Sequence, residues 1–253
     1  MGGTTPGFIR ALAADVTLCM FTGNTLITGA SGGIGSGVAR RLAARGTRLF
    51  LTGRDAGRLE AVRSECGPEA VAAAADLTAS GEAARVVGAA WEALGGFEVV
   101  IHCAGVGLLK PSAQTSDADF VRVMNTNARA TFLVAQQACT LMAERKQGLF
   151  LTLPGVLGKA PMRGAAAYAA SKYAVTGMLK CMGLEYGRLG VRFSLLFLGG
   201  VDTPFWEGIG TGIDRSKLLA PGTVADLILA ALDAPLPAVV AEIVAQPESH
   251  QLL

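Results

Sequence analysis

The chain has 253 residues, a formal net charge of +2, 51% hydrophobic residues and 17% charged residues. This length can build one sizeable hydrophobic core, and the composition excludes a disordered chain. The small net charge without a dense basic cluster excludes a nucleic-acid surface, and no apolar run reaches transmembrane length.

Residues 1–22 differ in pattern from the rest of the chain. They carry one arginine and a short apolar stretch that Asp15 interrupts, which is a poor match to a secretory signal peptide. We expect a flexible N-terminal extension, with Met20 as an alternative start, followed by one domain over residues 23–253.

The first strong pattern is a strand, a turn and a helix. Residues 25–28 form a short β-branched and apolar run, and a glycine-rich turn follows. Ile34, Val38 and Leu42 then recur at helical spacing, and Gly46 ends the pattern. We therefore predict the beginning of a βαβ unit.

Strand and helix patterns alternate along the remaining chain. Strands are predicted within residues 47–55, 69–78, 97–107, 148–155, 190–200 and 238–247. Helices are predicted within residues 56–65, 80–94, 117–145 and 222–234 and around Tyr168, and the helix within 117–145 is expected to break near Thr126. The strands read as apolar on both faces, which is typical of a parallel sheet covered on both sides. The predicted fold class is therefore α/β, a single Rossmann-like domain with a doubly wound parallel sheet.

The turn after the first strand reads TGASGGIG, residues 28–35. At a strand–helix junction such a turn directs backbone N–H groups and the helix dipole at a pyrophosphate, and its glycines permit close approach. A glycine cluster alone is a weak signal, but its place in a βαβ unit favours dinucleotide binding.

The residue after the second strand indicates which dinucleotide is bound. An acidic side chain there accepts hydrogen bonds from the ribose 2′-hydroxyl and repels a 2′-phosphate. This chain has Arg54, whose guanidinium can hold a phosphate through two hydrogen bonds. We expect NADP as the cofactor, with NAD as the alternative in which Arg54 is only solvated and Asp55 caps the next helix.

Tyr168 and Lys172 are four residues apart, so a helix would place both on one face. A phenol has an ordinary pKa of about 10, and a nearby ammonium favours the phenolate and lowers that value. The pair therefore suggests a proton-transfer site. The alternative is a core aromatic residue beside an unrelated surface lysine, which leaves the other motifs unexplained.

Taken in order, these motifs resemble those of short-chain dehydrogenases/reductases, from about Phe21 to the end of the chain. The matching segments are TGASGGIG for the TGxxxGxG turn, DLT at 76–78 for the adenine contact, HCAG at 102–105 where the family has NNAG, NARATF beginning at Asn127, the YxxxK pair of Tyr168 and Lys172, and LGGVDTPF around Thr203 for the PG-x-x-T stretch along the nicotinamide. The resemblance implies hydride transfer between a nicotinamide cofactor and a small carbonyl or alcohol substrate.

The resemblance also implies a set of site residues. Its catalytic residues are Tyr168, Lys172 and Asn127, and its cofactor-binding residues are Gly29, Ser31, Gly33, Ile34, Gly35, Arg54, Asp76, Leu77, Ala104, Gly105, Tyr168, Lys172, Val201 and Thr203. Tyr168 would act as general acid in reduction and general base in oxidation. Lys172 would hold the nicotinamide ribose hydroxyls, and Asn127 would support a proton path through a bound water.

One position departs from the family pattern. Thirteen residues before Tyr168, where the family has a serine that binds the substrate oxygen, this chain has Gly155. A lost donor of this kind is worth about 3 kcal/mol, or roughly a hundredfold in rate. Thr152 is the nearest upstream hydroxyl, and because Pro154 can bend the strand both orientations of its side chain stay open. The alternative function is a non-catalytic dinucleotide-binding sensor or assembly subunit.

Other departures are milder. His102 and Cys103 replace the asparagines of NNAG, and we expect His102 to be a hydrogen-bonding residue at a strand end rather than an acid or base. Leu198 replaces the usual proline. The loop 202–221 contains the apolar side chains Trp206, Ile209 and Leu218, so a lid formed by this loop would favour apolar or aromatic substrates.

The positions of the cysteines and histidines indicate a reducing compartment and argue against a metal site. The five cysteines are scattered without CxxC spacing, which predicts reduced, mostly buried thiols in a cytoplasmic protein. The two histidines have no second ligand at zinc spacing, so we expect no metal. Alanine-rich helices around Asn127 and Tyr168, together with the resemblance, suggest a homodimer or homotetramer. We expect no nucleic-acid or membrane partner.

Overall fold

Seven parallel strands form one sheet in the computed structural model, which describes residues 20–209, 212, 214–249 and 251–252. The strands are β1 (Thr25–Thr28), β2 (Leu49–Gly53), β3 (Val71–Ala74), β4 (Val99–His102), β5 (Gly148–Thr152), β6 (Val191–Leu198) and β7 (Glu242–Ala245). Their order across the sheet is β3-β2-β1-β4-β5-β6-β7, so the direction of winding reverses between β1 and β4. The predicted doubly wound α/β fold is confirmed, and a crevice is expected at this reversal.

Helices cover both faces of the sheet. They are α1 (Gly33–Ala43), α2 (Ala56–Glu65), α3 (Glu82–Leu94), α4 (Asp117–Met124), α5 (Ala130–Glu144), α6 (Ala166–Tyr186) and α7 (Pro221–Leu232). One core joins α3, α5 and α6 to the side chains of Leu26 and Val100, and the other joins α1, α2 and α7 to those of Ile27 and Ile101. Because successive side chains of a strand point to opposite faces, adjacent residues of β1 and β4 serve different cores.

The central strands are buried on both faces, as predicted, but the edge strands are not. All residues of β1, β2, β4 and β5 are buried, whereas Val71 in β3 and Val244 in β7 are exposed. The two edge strands lie where the helical layers end. The expectation of apolar burial along every strand is therefore wrong at the two edges.

The long helix predicted over residues 117–145 has no break near Thr126. A π-helical turn, Asn125–Arg129, joins α4 to α5 without leaving the helix. The Thr126 hydroxyl donates to the Arg122 carbonyl oxygen, 2.8 Å away. The extra residue of a π-turn shifts the phase of the hydrophobic pattern, which resembles a break in the sequence.

The end of the predicted N-terminal extension packs on the domain. Residues 1–19 lie outside the described part, so their predicted flexibility stays a prediction. The Phe21 amide donates to the Asp233 carboxylate at 2.9 Å, and its ring packs against the core of α1, α2 and α7. No helix in the described part of the chain is both long and apolar enough to cross a membrane.

Candidate functional site

A crevice of about 1400 Å³ opens at the carboxyl ends of the central strands. It is lined by all fourteen residues that the resemblance implies for cofactor binding: Gly29, Ser31, Gly33, Ile34, Gly35, Arg54, Asp76, Leu77, Ala104, Gly105, Tyr168, Lys172, Val201 and Thr203. Of the three residues implied for catalysis, Tyr168 and Lys172 line it and Asn127 lies behind its wall. The fold therefore brings these residues to one place.

The glycine-rich turn fits closely against its surroundings. Gly29 has φ +67°, and a Cβ there would lie 2.6 Å from the Ala104 amide nitrogen. A Cβ at Gly35 would lie 2.3 Å from the Gly29 carbonyl oxygen. Helix α1 begins at Gly33, has no acidic residue in its first turn and receives no side-chain cap from Gly32. Its N-terminal amides are therefore left available to an anion in the crevice.

Arg54 lies exposed at the crevice, directly after β2. Its guanidinium makes no hydrogen bond or salt bridge with the residues that the structure describes, but its charge helps to lower the pKa of Asp76. Asp55 caps α2 by accepting a hydrogen bond from the Arg58 amide at 2.9 Å. The helix-capping role considered for Asp55 is confirmed, and it leaves Arg54 free to face a ligand.

Asp76 stays ionised at the same end of the crevice. Hydrogen bonds from the Thr78 hydroxyl, at 2.7 Å, and from the Thr78 amide, at 3.0 Å, are the main causes of its lowered pKa. A carboxylate held in this way accepts hydrogen bonds and does not donate them.

Tyr168 and Lys172 lie in α6, and burial dominates the ionisation of both. The Lys172 ammonium donates to the Leu153 carbonyl oxygen at 3.0 Å, and burial lowers its pKa to about 8, while the nearby Cys103 thiol opposes that shift. Burial also raises the pKa of Tyr168 above its ordinary value, with no lowering by Lys172. The expectation of a phenol acidified by its lysine is therefore wrong for this structure, because loss of solvent disfavours the phenolate.

The Tyr168 hydroxyl makes no hydrogen bond with any described residue. Its ring contacts Phe205, with ring centroids 6.1 Å apart. Both residues line the crevice. The phenol is therefore protonated, and its O–H is available to donate a hydrogen bond to a ligand.

Asn127 is 1% exposed and braces the site rather than lining it. Its Oδ1 accepts from the Val106 amide at 2.8 Å, and its Nδ2 donates to the Val106 carbonyl and to the Ser171 hydroxyl, both at 2.9 Å. A Cβ on Gly105 would lie 3.2 Å from this Oδ1 and 3.7 Å from the Lys172 ammonium. Asn127 therefore ties the loop after β4 to α6, close to Lys172.

His102 is the hydrogen-bonding residue that the sequence predicts. Its Nδ1 and Nε2 each lie 2.8 Å from a hydroxyl, that of Thr28 and that of Thr131. Because Thr131 donates its proton to the Asn127 carbonyl oxygen, it accepts from Nε2–H, and Thr28 donates to Nδ1. Burial, and then the charge of Lys172, lower the pKa of His102 to about 3, so the ring is neutral.

Thr152 is not part of the crevice lining. It is 3% exposed, and its hydroxyl donates to the His102 carbonyl oxygen at 2.9 Å. Gly155 lines the crevice with φ +71° and ψ 170°, a conformation that disfavours any residue with a side chain. Strand alternation leaves two orientations open for the Thr152 side chain. In the structure its hydroxyl is directed at the His102 carbonyl oxygen and not into the crevice.

The loop after β6 lies over the crevice. Trp206 and Leu218 line it, as expected, and the Trp206 indole donates to the Val201 carbonyl oxygen at 2.8 Å. Ile209 is not among the lining residues and packs against Gly107 instead, with its Cδ1 2.7 Å from where a Cβ on Gly107 would be. The described residues of the loop place apolar side chains at the opening near Tyr168.

Sequence reasoning missed several lining residues. Phe205, Leu157 and Met162 line the crevice, as do the C-terminal residues Pro247, Ser249, Gln251 and Leu252. A Cβ on Gly199 would lie 2.7 Å from the Pro247 ring, which shows how closely the segment after β7 packs on the end of β6. The segment after β7 has no periodic sequence pattern that would have predicted its place in the crevice. Phe205 could have been predicted, because it is an aromatic residue directly before Trp206 in the loop already considered as a lid.

Comparisons with known proteins agree with this geometry. Residues 24–213 match the family model of short chain dehydrogenases. Levodione reductase of Leifsonia aquatica is 31% identical over 72% of this chain and 70% of its own. An uncharacterized oxidoreductase of Staphylococcus epidermidis is 28% identical over 88% of this chain and 96% of its own. Among solved structures, a variant of actinorhodin polyketide ketoreductase with NADPH is 28% identical, with a TM-score of 0.78 over 88% of this chain and 95% of that one.

Proposed function

The chain belongs to the short-chain dehydrogenase family of oxidoreductases, and from that premise we propose that it is an NADP(H)-dependent enzyme acting on a carbonyl or alcohol substrate. Tyr168 is its general acid in reduction and its general base in oxidation. The observation that carries the proposal is the protonated, unengaged Tyr168 hydroxyl in the same crevice as the glycine-rich turn.

The crevice fits a dinucleotide. It exceeds the roughly 300–1,000 Å³ of ordinary small-molecule sites. Gly29 and Gly35 keep the turn clear where a Cβ would collide, so the α1 amides would hold the pyrophosphate. Asp76 would receive hydrogen bonds at the adenine end, and Val201 and Thr203 would lie along the nicotinamide.

Arg54 favours NADP over NAD. Its guanidinium is exposed at the crevice without a hydrogen-bonding or salt-bridge partner in the described structure, at the position where a carboxylate would repel a 2′-phosphate. The related ketoreductase structure contains NADPH. NAD remains the alternative cofactor.

The residues around Tyr168 suit carbonyl reduction. A reduced nicotinamide supplies, when bound, a hydride to the carbonyl carbon. Tyr168 then gives its phenolic proton to the carbonyl oxygen, which becomes the alcohol oxygen. Lys172 would hold the ribose hydroxyls while charged, and Asn127 ties the loop after β4 to α6 around them.

The same family membership leads us to propose a homodimer or homotetramer. Large apolar side chains are exposed on α4, α5 and α6: Phe120 at 44%, Phe132 at 39% and Tyr173 at 44%. Exposed apolar side chains on adjacent helices are typical of subunit interfaces. Light scattering of the purified protein checks this, and a monomer would contradict it.

We also propose a cytoplasmic location. Cys66, Cys103, Cys139 and Cys181 are free thiols, which fits a reducing compartment. Of these four, Cys139 alone is buried, so the expectation that most of the thiols are buried is wrong for the described cysteines.

One observation favours a second candidate, a dinucleotide-binding protein without turnover: Gly155 has no hydroxyl where the resemblance implies a serine, and the Thr152 hydroxyl donates to the His102 carbonyl oxygen instead. Incubation with NADPH and a panel of ketones and aldehydes separates the two. Loss of the NADPH absorbance together with alcohol formation is expected for the enzyme. Tight NADPH binding without alcohol from any carbonyl compound would support the sensor instead.

A further inference from the structure

The space beside Gly155 is open. A Cβ built on Gly155 would meet only one atom within 4 Å beyond its chain neighbours, the Leu198 carbonyl oxygen at 3.4 Å. The positive φ of Gly155 disfavours a side chain there. Because Gly155 and Tyr168 line the same crevice, a substrate whose carbonyl oxygen reaches Tyr168 can place a further group next to Gly155.

The polar groups at this end of the crevice are turned into the protein. Thr152 donates to His102, as described above, and the Thr203 hydroxyl donates to the Val201 carbonyl at 3.4 Å, as does the Trp206 indole at 2.8 Å. The other hydroxyls along the crevice also donate within the protein: Thr78 to Asp76, Thr126 to Arg122 and Ser249 to Lys217. These groups are already engaged when a substrate arrives.

Tyr168 is therefore the hydroxyl available to a substrate oxygen. The Lys172 ammonium donates to the Leu153 carbonyl oxygen and is assigned to the ribose hydroxyls of the cofactor, and the Ser31 hydroxyl lies at the other end, 2.5 Å from where a Cβ on Gly53 would be. A carbonyl oxygen that gains negative charge during hydride transfer normally receives more than one hydrogen bond. Among the described hydroxyls along the crevice, only that of Tyr168 is available to provide one.

The walls make a replacement water unfavourable. The crevice lining includes the apolar neighbours of Gly155 in the chain, Leu153, Pro154, Val156 and Leu157, together with Met162 and Phe205. An ordered water needs roughly two to four polar partners, and the Leu198 carbonyl oxygen is the one polar atom within 4 Å of a Cβ built on Gly155, apart from its chain neighbours. The missing hydrogen bond is more readily supplied by the ligand itself.

We infer that the substrate carries its own hydroxyl next to the reacting carbonyl, as in an α-hydroxy ketone or an ortho-hydroxyaryl ketone. This inference rests on the proposed function. The substrate hydroxyl lies in the space beside Gly155 and donates an intramolecular hydrogen bond to the carbonyl oxygen, while Tyr168 donates the second. Apolar or aromatic groups on the ketone contact the surrounding walls.

The reaction balances without another reactant. The hydride of the reduced nicotinamide forms the new C–H bond, the carbonyl π bond breaks, and its electron pair takes the Tyr168 proton. The nicotinamide leaves oxidised, the phenolate regains a proton from solvent, and the product is a diol. The substrate hydroxyl keeps its own proton throughout and acts only as a hydrogen-bond donor.

A matched pair of substrates tests the inference: phenacyl alcohol and its methyl ether, which differ in the ability to donate that hydrogen bond. With NADPH, we expect kcat/KM for the alcohol to exceed that for the ether by about a hundredfold, after correction for the ratio of their borohydride reduction rates. Equal corrected values would overturn the inference and leave the proposed function standing. Reduction of neither compound, nor of any other ketone, by NADPH-bound protein would overturn both.

The variant Thr152→Val provides a second check, because the ratio of the two rates is insensitive to a general loss of folded protein. We expect the ratio to be unchanged in this variant, since the Thr152 hydroxyl is engaged by His102. A selective loss of activity towards the ether would assign the second hydrogen bond to Thr152 and overturn the inference.

Discussion

The Lys172 ammonium lies 5.7 Å from the centroid of the Tyr168 ring and makes its hydrogen bond with the Leu153 carbonyl oxygen, not with the phenol. Burial lowers the pKa of Lys172 to about 8 and raises the pKa of Tyr168. The first group to change its charge as the solution becomes alkaline is therefore the lysine.

Because Lys172 titrates before Tyr168, the rate of ketone reduction is expected to depend on pH. We expect kcat/KM for ketone reduction to fall as the pH rises through about 8, because Lys172 loses the charge with which it would hold the ribose hydroxyls. The phenol itself remains protonated in that range. Steady-state rates at saturating NADPH and constant ionic strength give the profile, and a flat profile across the pH range around 8 would remove Lys172 from this role.

His102 predicts a loss of stability in acid. Its folded-state pKa is about 3, and its unfolded-state pKa is about 6.5, so between these values the unfolded chain binds more protons. The free energy of unfolding therefore rises with pH across this window, and this group alone accounts for a decrease of about 2 kcal/mol between about pH 7 and about pH 5. Urea unfolding at both pH values measures the difference.

The control for that measurement is His102→Gln, which cannot be protonated. The variant is expected to be less stable at neutral pH, because it loses part of the Thr28–Thr131 bridge, but to show a decrease towards acid pH that is smaller by about 2 kcal/mol. The same pH dependence in both proteins would mean that the imidazole is not buried as a neutral group.

Asn127 is expected to matter for stability as well as for activity. Asn127→Ala removes three buried hydrogen bonds and leaves the Val106 amide and carbonyl without these partners. At about 1 kcal/mol for each bond, the loss in unfolding free energy is about 3 kcal/mol. Ser171→Ala, which removes one of the same bonds, is the matched variant, and an equal loss in both would contradict the bracing role.

Arg54 sets the expected cofactor preference. Arg54→Ala should weaken NADPH binding by about tenfold or more, because a charge-assisted hydrogen bond is lost, and should leave NADH binding nearly unchanged. Arg188→Ala, just after α6 and outside the crevice lining, controls for the loss of one positive charge. Equal weakening of both nucleotides would contradict the proposal that Arg54 binds the 2′-phosphate.

Much of this molecule is predictable from its sequence, for local reasons. The run of glycines after the first strand and the alternation of strands with helices predict the sheet, its parallel direction and the position of the crevice. Gly29 and Gly35 belong to the same prediction, because close backbone packing requires a residue without a side chain.

The remaining features depend on contacts between distant segments. Thr152 turns to the His102 carbonyl on the neighbouring strand β4, a partner that no sequence spacing reveals. The raised pKa of Tyr168 comes from burial by residues such as Phe205, which are far away in the chain, whereas the sequence shows only the lysine four residues away. The local spacing therefore predicts that Tyr168 and Lys172 lie together, but it does not predict the protonation state of Tyr168.

Replacement of the Tyr168 hydroxyl tests the central claim most directly. Tyr168→Phe is compared with Tyr173→Phe, which alters an exposed tyrosine on the same helix, by following NADPH oxidation and alcohol formation with one reducible ketone. We predict that Tyr168→Phe still binds NADPH but loses ketone reduction by about a hundredfold or more, roughly the worth of a general acid, and that Tyr173→Phe keeps it. Full activity in Tyr168→Phe would contradict the account.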